Sequence, residues 1–203
     1  MNPIDRLTQT FERFPGIGPR QARRFVQYLL GQPESVRKAL AEDLKQLGAA
    51  ARSCERCFRW FIKNGGNEKR CSICTSRSRD ESLVFVVEKD ADLDGVERSG
   101  FKGLYFVLGG VIPLAEEHPE KFIRVRELLE RINEDGSKLK EVILGLSATT
   151  EGDHTRLILQ EKLLPLAESH NFKLSSLGRG LSTGSELEYA DPETIAQALG
   201  NRH

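Results

Sequence analysis

The chain is poor in the side chains that most often announce chemistry: one Trp, one Met, three Tyr, four His and four Cys in 203 residues. No apolar run approaches the roughly 18 residues of a membrane-spanning helix, so nothing reads as a membrane span. His118, His154, His170 and His203 show no metal-ligand spacing and no nucleophile–base set. A phosphate loop of the G-x-x-x-x-G-K-[ST] kind is absent; Gly180-Leu181-Ser182-Thr183-Gly184-Ser185 lacks its lysine and reads as a turn. The opening Met1-Asn2-Pro3-Ile4-Asp5 carries no apolar stretch, so an oxidising compartment is not expected and a cytoplasmic one is.

Net charge is also lacking, with 30 basic residues against 30 acidic, but the balance hides a split. Residues 1–79 hold 16 Lys and Arg against seven Asp and Glu, net +9, and residues 80–203 are net −9. A basic half suits a polyanionic partner; an acidic half suits metal-binding carboxylates, a protein partner or solubility.

What is present starts with the cysteines. Cys54, Cys57, Cys71 and Cys74 form C-x2-C-x13-C-x2-C and leave no thiol over. Two C-x-x-C turns supply the tetrahedral four-sulfur set that Zn2+ prefers, and such a closed set leaves no position for a catalytic water. The spacing predicts one structural zinc per chain, stapling a segment too polar for its own core. A pair of disulfides and a redox C-x-x-C are the competing readings. Between the ligand pairs, Phe58, Trp60 and Phe61 alternate with Arg56, Arg59, Lys63, Lys69 and Arg70. Rings among basic residues can stack on bases; the reading favoured here is that they cover the zinc knuckle.

Upstream, Phe14-Pro15-Gly16-Ile17-Gly18-Pro19-Arg20 separates helical patterns around Ile4, Leu7, Phe11 and around Ala22, Phe25, Val26, Leu29. Gly16 and Gly18 are expected to take conformations closed to other residues, with Ile17 inward and Pro19 opening the second helix. The helix N-terminus then offers a phosphate seat that reads no bases, flanked by Arg20, Arg23 and Arg24. This pattern resembles the helix-hairpin-helix DNA-binding motif. A further helix from Pro33 to Leu47, with Val36, Leu40, Leu44 and Leu47 in one stripe, is expected to pack on the hairpin.

From Leu83 the texture changes. Leu83–Val87, Leu104–Leu108 and Val142–Leu146 are apolar runs that read as strands buried on both faces, with a short strand near Phe172–Ser175. Helical patterns run from about Pro119 and from Thr155 to Leu164. The prediction is a covered, mostly parallel α/β sheet, α+β overall once the amino-terminal helices are added. Ligands of such sheets bind beyond the strand ends, where Glu88 and Glu151-Gly152-Asp153 stand. These acids resemble those of the Toprim domain, whose catalytic members hold Mg2+; here Glu151 replaces the usual aspartate and no nucleophilic tyrosine has a matching context. Asp90-x-Asp92-x-Asp94-Gly95 imitates a calcium loop, but Phe101 stands where a bidentate Glu is required.

Taken in order, Pro15-Gly16-Ile17-Gly18-Pro19, the four cysteines, Arg79-Asp80, Val86-Val87-Glu88, Leu108-Gly109-Gly110, Thr150-Glu151-Gly152 and Leu187-Glu188-Tyr189-Ala190-Asp191 resemble the RecR family of bacterial recombination mediators over nearly the whole chain. The resemblance implies a protein without enzymatic activity, associated with the nucleoid, forming ring-like oligomers, often tetramers. It implies binding to double-stranded and gapped DNA, and work with the RecO and RecF proteins to load the RecA recombinase. Carried over by residue, it puts DNA contact at Gly16, Gly18, Arg20, Arg23 and Arg24, zinc on the four cysteines, and partner contact on Glu88, Glu151 and Asp153. Mg2+ is then possible but not needed. It divides the chain into a helix-hairpin-helix region (1–52), a four-cysteine zinc finger (53–78), a Toprim domain (79–178) and a subunit-crossing tail (179–203). The stretch Phe58–Arg70 is longer than the family's usual zinc loop and reads as an insertion, while Val111–His118 replaces the usual Gly-rich stretch. The alternatives are a Mg2+-dependent nuclease or strand-passage enzyme on Glu88, Glu151 and Asp153, and a zinc-stapled adaptor that touches only protein.

Overall fold

A computed structural model describes residues 1–63, 65–115, 118, 121–181 and 184–200. The predicted helix start at Pro119, residues Ser182 and Thr183 of the predicted turn, Glu116 and Glu117 of the replaced stretch, and His203 lie outside them. The chain divides into two units, Met1–Ala51 and Arg52–His203.

In the first unit, α1 (Pro3–Glu12) is capped by the Asn2 carboxamide, which accepts the Asp5 N–H at 2.9 Å. Helix α2 (Pro19–Gly31) follows a tight hairpin closed by the Ile17 N–H on the Phe14 carbonyl at 3.0 Å. The two helices meet edge-to-face through Phe11 and Phe25, ring centroids 5.6 Å apart, over buried Ala22 and Val26. Helix α3 (Glu34–Ala50) runs through Gly48 rather than stopping before it. Its predicted packing on the hairpin is not observed: Val36, Leu40, Leu44 and Leu47 remain 40–61% exposed.

The second unit is built on four parallel strands in the order β4-β3-β5-β6, namely β3 (Asp80–Val87), β4 (Gly103–Val107), β5 (Glu141–Gly145) and β6 (Lys173–Ser176). Successive side chains point to opposite faces, so the central apolar runs feed two cores. Val84, Val86, Val142 and Leu144 face α6 (Val125–Asp135) and α7 (Thr150–His170), where Leu128, Ile132, Leu159 and Leu163 are fully buried. On the opposite face lie Phe85, Val87 and Tyr105. They pack against Leu93 of α5 (Asp90–Arg98) and against the four cysteines. The cysteine segment is therefore half of the layer that covers one face of the sheet, and not an isolated polar staple. Its remaining elements are a two-stranded ribbon, β1 (Ala51–Ser53) with β2 (Trp60–Ile62), and a single turn, α4 (Ser72–Thr75). A helix α8 (Pro192–Gly200) closes the described chain.

Two expectations on helix bounds are corrected, and the aspartates that imitate a calcium loop prove to be helical. Among the described residues the α-helix of the pattern assigned from Pro119 starts at Val125, because residues 122–124 turn to send Ile123 into the core and Arg124 to the sheet edge. Asp90, Asp92 and Asp94 lie in helix α5, where the Asp92 carboxylate accepts the Lys89 N–H at 2.8 Å as an N-terminal cap. Helix α7 is longer than predicted at both ends, so Glu151 and Asp153 lie in its first turn, behind the cap that the Thr149 hydroxyl provides by accepting the Gly152 N–H.

The exposed edge of the sheet is closed by side chains that no sequence pattern announced. The Val107 N–H of β4 donates to the Cys57 carbonyl at 2.8 Å. Buried Arg131 donates to the carbonyls of Tyr105 at 2.6 Å and Arg56 at 3.0 Å, and Arg124 donates to that of Val107 at 3.0 Å. Asp135 joins both layers by accepting from Arg56 at 3.0 Å and Arg131 at 3.3 Å. An unpaired edge invites another strand; here the cysteine module and α6 occupy it.

Candidate nucleic-acid interface and metal centre

The hairpin brings Arg20, Arg23 and Arg24 together with Pro19 and Gln27 around one groove of about 600 Å3. All three guanidinium groups belong to exposed residues, and none forms an ion pair among the described residues. Pro19 opens α2, Gly18 precedes it with no side-chain cap, and no acid stands in the first turn. The free N–H groups of that turn and the positive end of the helix dipole therefore point to solvent beside three cations, a setting that attracts phosphate oxygens.

The two hairpin glycines differ. Gly16 has φ +75°, a left-handed conformation that side chains resist. Gly18, at φ −85° and ψ 171°, has ordinary extended backbone, and a Cβ there meets nothing within 4 Å. The expectation that both glycines are conformationally required is thus corrected for Gly18.

The four cysteines are buried and free, and their Sγ atoms all lie within 4.8 Å of one another. Cys57 and Cys71 sulfurs are 3.6 Å apart, too far for a disulfide bond between them. The Cys71 N–H points at the Cys54 sulfur at 3.3 Å, and the Cys54 N–H closes its turn on the Arg59 carbonyl at 2.8 Å. Four thiols this close share protons unequally. Hydrogen bonding from Cys57 holds Cys54 well below the ordinary thiol value, while Cys54 pushes Cys57 and Cys74 above it. Cys71 is raised by Cys54 but lowered by Cys57 and Cys74, and falls to about 6. A divalent cation among them would let all four ionise, and an all-sulfur set of this kind fits zinc.

Phe58, in the turn behind Cys57, holds φ +62°, a costly conformation for an aromatic residue. Its ring meets Phe106 edge-to-face at 5.4 Å and lies under Arg124 at 5.2 Å, contacts that offset the backbone strain. Phe61 also turns inward, to the cysteine layer. Trp60 does not: it is 59% exposed, so the expectation that the rings cover the knuckle holds for two of the three.

The carboxyl-terminal acids do not assemble as one ligand set. Among the described residues, the cysteines are the one group of three or more Cys, His, Asp or Glu able to converge on a metal. Glu88 is buried at the end of β3, and its carboxylate accepts the Ser147 N–H at 2.6 Å. Asp153 is held by Arg179, at 2.9 Å for one of the two bonds, and by Arg156 at 3.3 Å; the Arg179 guanidinium keeps its carboxyl below the usual range. Glu151 is exposed. Acids in a first helical turn also stabilise the helix dipole.

Sequence reasoning missed Arg131, Arg124 and Asp135, and quoted Arg79 only within the family resemblance, without a role. The last ion-pairs with Glu97 at 2.6 Å and reaches the Phe101 carbonyl at 3.1 Å, and Glu97 in turn accepts from the Tyr105 hydroxyl. Arg124 and Arg131 at least stand beside apolar residues, whereas Arg79 and Asp135 lie in polar stretches that give no sequence signal of burial.

Comparison with known proteins gives matches along most of the chain. Residues 4–47 match the family described as RecR, helix-hairpin-helix; residues 82–177 match the Toprim domain; and residues 180–203 match RecR, C-terminal. Proteins named "Recombination protein RecR" are 37% identical in Prochlorococcus marinus and 39% in Herpetosiphon aurantiacus, over 98% of this chain and 94% and 93% of theirs. That of Bifidobacterium longum subsp. infantis is 38% identical over 98% of this chain and 94% of its own.

Proposed function

Since the chain belongs to the RecR family of recombination proteins, we propose that it is a non-catalytic mediator that clamps duplex and gapped DNA through phosphate contacts at its amino-terminal hairpin. The observation that carries this reading is the set of exposed guanidiniums at Arg20, Arg23 and Arg24 beside the uncapped N-terminus of α2. Each offers charge and donors to a phosphate without reading a base, and binding would release counterions. Gly18 suits the same role, since a bare Cα lets a phosphate approach the loop.

Cys54, Cys57, Cys71 and Cys74 hold a structural zinc, which supplies folding energy and no reaction. The commitment of Asp153 to two arginines and of Glu88 to the Ser147 N–H supports partner contact or local structure, rather than Mg2+ chemistry, for Glu88, Glu151 and Asp153. Homo-oligomerisation into a ring, a tetramer in the family's manner, is supported by apolar side chains left uncovered in the single chain. These are the α3 stripe at Val36, Leu40, Leu44 and Leu47, and Leu187, Tyr189 and Leu199 of residues 179–203. Several basic halves would then surround DNA while the acidic halves meet the RecO and RecF proteins.

The test is one gel at low salt, with gapped and intact end-labelled duplex incubated with and without Mg2+. Retarded, uncut DNA that is released as salt rises is the expected result. Nicks that appear with Mg2+ and vanish in Glu151→Gln would make the acids catalytic and overturn the non-catalytic reading.

A further inference from the structure

The ribbon whose second strand lies between the cysteine pairs is not used by the hairpin reading. Its strand β2 alternates, with Phe61 inward and Trp60 and Ile62 outward, 59% and 55% exposed. Trp60 is the only tryptophan of the chain, and more than half of its surface faces solvent. Its backbone is nonetheless held in place. The backbone N–H of Trp60 donates to the Asp90 carboxylate at 3.1 Å, and the adjoining Arg59 carbonyl is held by Cys54. Below it opens a groove of about 850 Å3 whose walls include Arg59, Lys69 and Arg70.

The charge of the cysteine segment itself is one-sided, although the Asp90 carboxylate of α5 lies beside the Trp60 backbone. Residues 52–79 hold eight Lys and Arg against two Glu. Both acids, Glu55 and Glu68, line the groove, and Glu55 is paired with Lys69 at 3.5 Å. Arg59, Lys63 and Arg70 have no ion pair among the described residues, and the buried Nε of Arg59 has no hydrogen-bond partner.

We infer that this ribbon is a docking site for single-stranded nucleic acid, with one base stacked on Trp60 and the backbone phosphates on Arg59, Lys63 and Arg70. A flat, exposed indole on a hydrogen-bonded strand, flanked by cations without ion pairs, is the combination that binds single strands without sequence preference. Duplex DNA does not satisfy it, because both faces of each base are already covered by neighbours in the stack. The site deepens the DNA-binding reading above and rests on it, but on a different surface: the hairpin takes phosphates of the duplex, and the ribbon takes the unpaired strand. One chain thus carries a contact for each form of DNA present at a gap.

Because Trp60 is the sole tryptophan, its emission reports on the site directly. The full chain is titrated at low salt with a short oligothymidylate, with a blunt duplex, and with polyglutamate. Quenching by the oligothymidylate alone, and a loss of oligothymidylate affinity of about 5- to 150-fold in Trp60→Ala measured by anisotropy of labelled DNA, are expected from the loss of one stacked base. Trp60→Phe recovers part of that loss, and Trp60→Ala leaves thermal unfolding and duplex affinity unchanged. An Arg20→Ala/Arg24→Ala variant loses duplex affinity while retaining the quench, so failure of the hairpin reading is seen separately. An unchanged emission, an unweakened Trp60→Ala variant, or equal quenching by polyglutamate, which would make the surface a seat for acidic peptides, overturns the inference.

Discussion

Arg131 and Arg126 lie on the same helix and look alike in sequence, yet the structure separates them. The Arg131 side chain is 6% exposed and its guanidinium satisfies the Tyr105 and Arg56 carbonyls and the Asp135 carboxylate. Arg126 is 78% exposed and pairs with Glu130 at 3.7 Å. Replacing Arg131 by Ala leaves two partly buried carbonyls without a charged donor, each a loss of about 1.5–3 kcal/mol. The desolvation penalty of the guanidinium is relieved at the same time, and Asp135 keeps Arg56 at 3.0 Å, so the net cost is about 3–5 kcal/mol, as for other broken buried pairs. Arg126→Ala costs about 0.5 kcal/mol or less. Arg131→Met restores the stem's contacts with the core but not the hydrogen bonds, and falls between the two. Urea unfolding followed by far-UV circular dichroism measures these differences, and hydrogen exchange of the Val107 amide locates them at the β4 edge. An Arg131→Ala protein within about 0.5 kcal/mol of the parent, with Val107 exchanging no faster, would refute the claim that this arginine closes the sheet.

The same geometry bears on the metal, an ion pair and the hairpin. A strong chelator should expose four reactive thiols and lower the thermal midpoint, because the metal-held layer covers Phe85, Val87 and Tyr105; a metal-free protein with unchanged melting would contradict the zinc assignment. Hydrogen bonding from Arg79 lowers the folded-state pKa of Glu97 below its ordinary value. That pair therefore adds stability above the unfolded-state pKa of about 4.3 and loses it as pH falls through the lower folded value. Urea midpoints at neutral and acid pH should show this loss, and Glu97→Gln should remove that part of it. Gly16→Ala should destabilise the hairpin unit by about 1–2 kcal/mol through its left-handed backbone. Gly18→Ala should leave the unit at least as stable, by up to about 1 kcal/mol, while weakening DNA binding; equal effects of the two on melting would be the contrary result.

The parts of this molecule that could be read from sequence are those encoded by local repetition. The strands stood out as β-branched apolar runs because a parallel sheet buries both faces, and the cysteines stood out because their spacing has few other uses. Helix α5 was hidden because its first turn is three alternating aspartates, which suit a helix start as well as a metal loop. Helix α7 was underestimated since apolar residues surround it, Leu157 and Leu164 exposed and Leu159 and Leu163 buried, so that its stripe blurs. The hairpin cations were found because they crowd one turn. Arg131 was not, because a cation bound to the carbonyls of a distant strand looks, in one dimension, like any solvent-facing residue. The exposure of Trp60 was likewise beyond sequence, since only the pairing of β1 with β2 decides which way each ring of Phe58, Trp60 and Phe61 turns.

The most direct test of the hairpin as the DNA contact is the salt dependence of duplex affinity for the parent and for Arg20→Ala, Arg23→Ala and Arg24→Ala. If each guanidinium neutralises one phosphate, each substitution should weaken binding alike on unrelated sequences and reduce the slope of log K against log salt by about 0.9. Affinity and slope unchanged in all three variants would place the contact elsewhere and contradict the account.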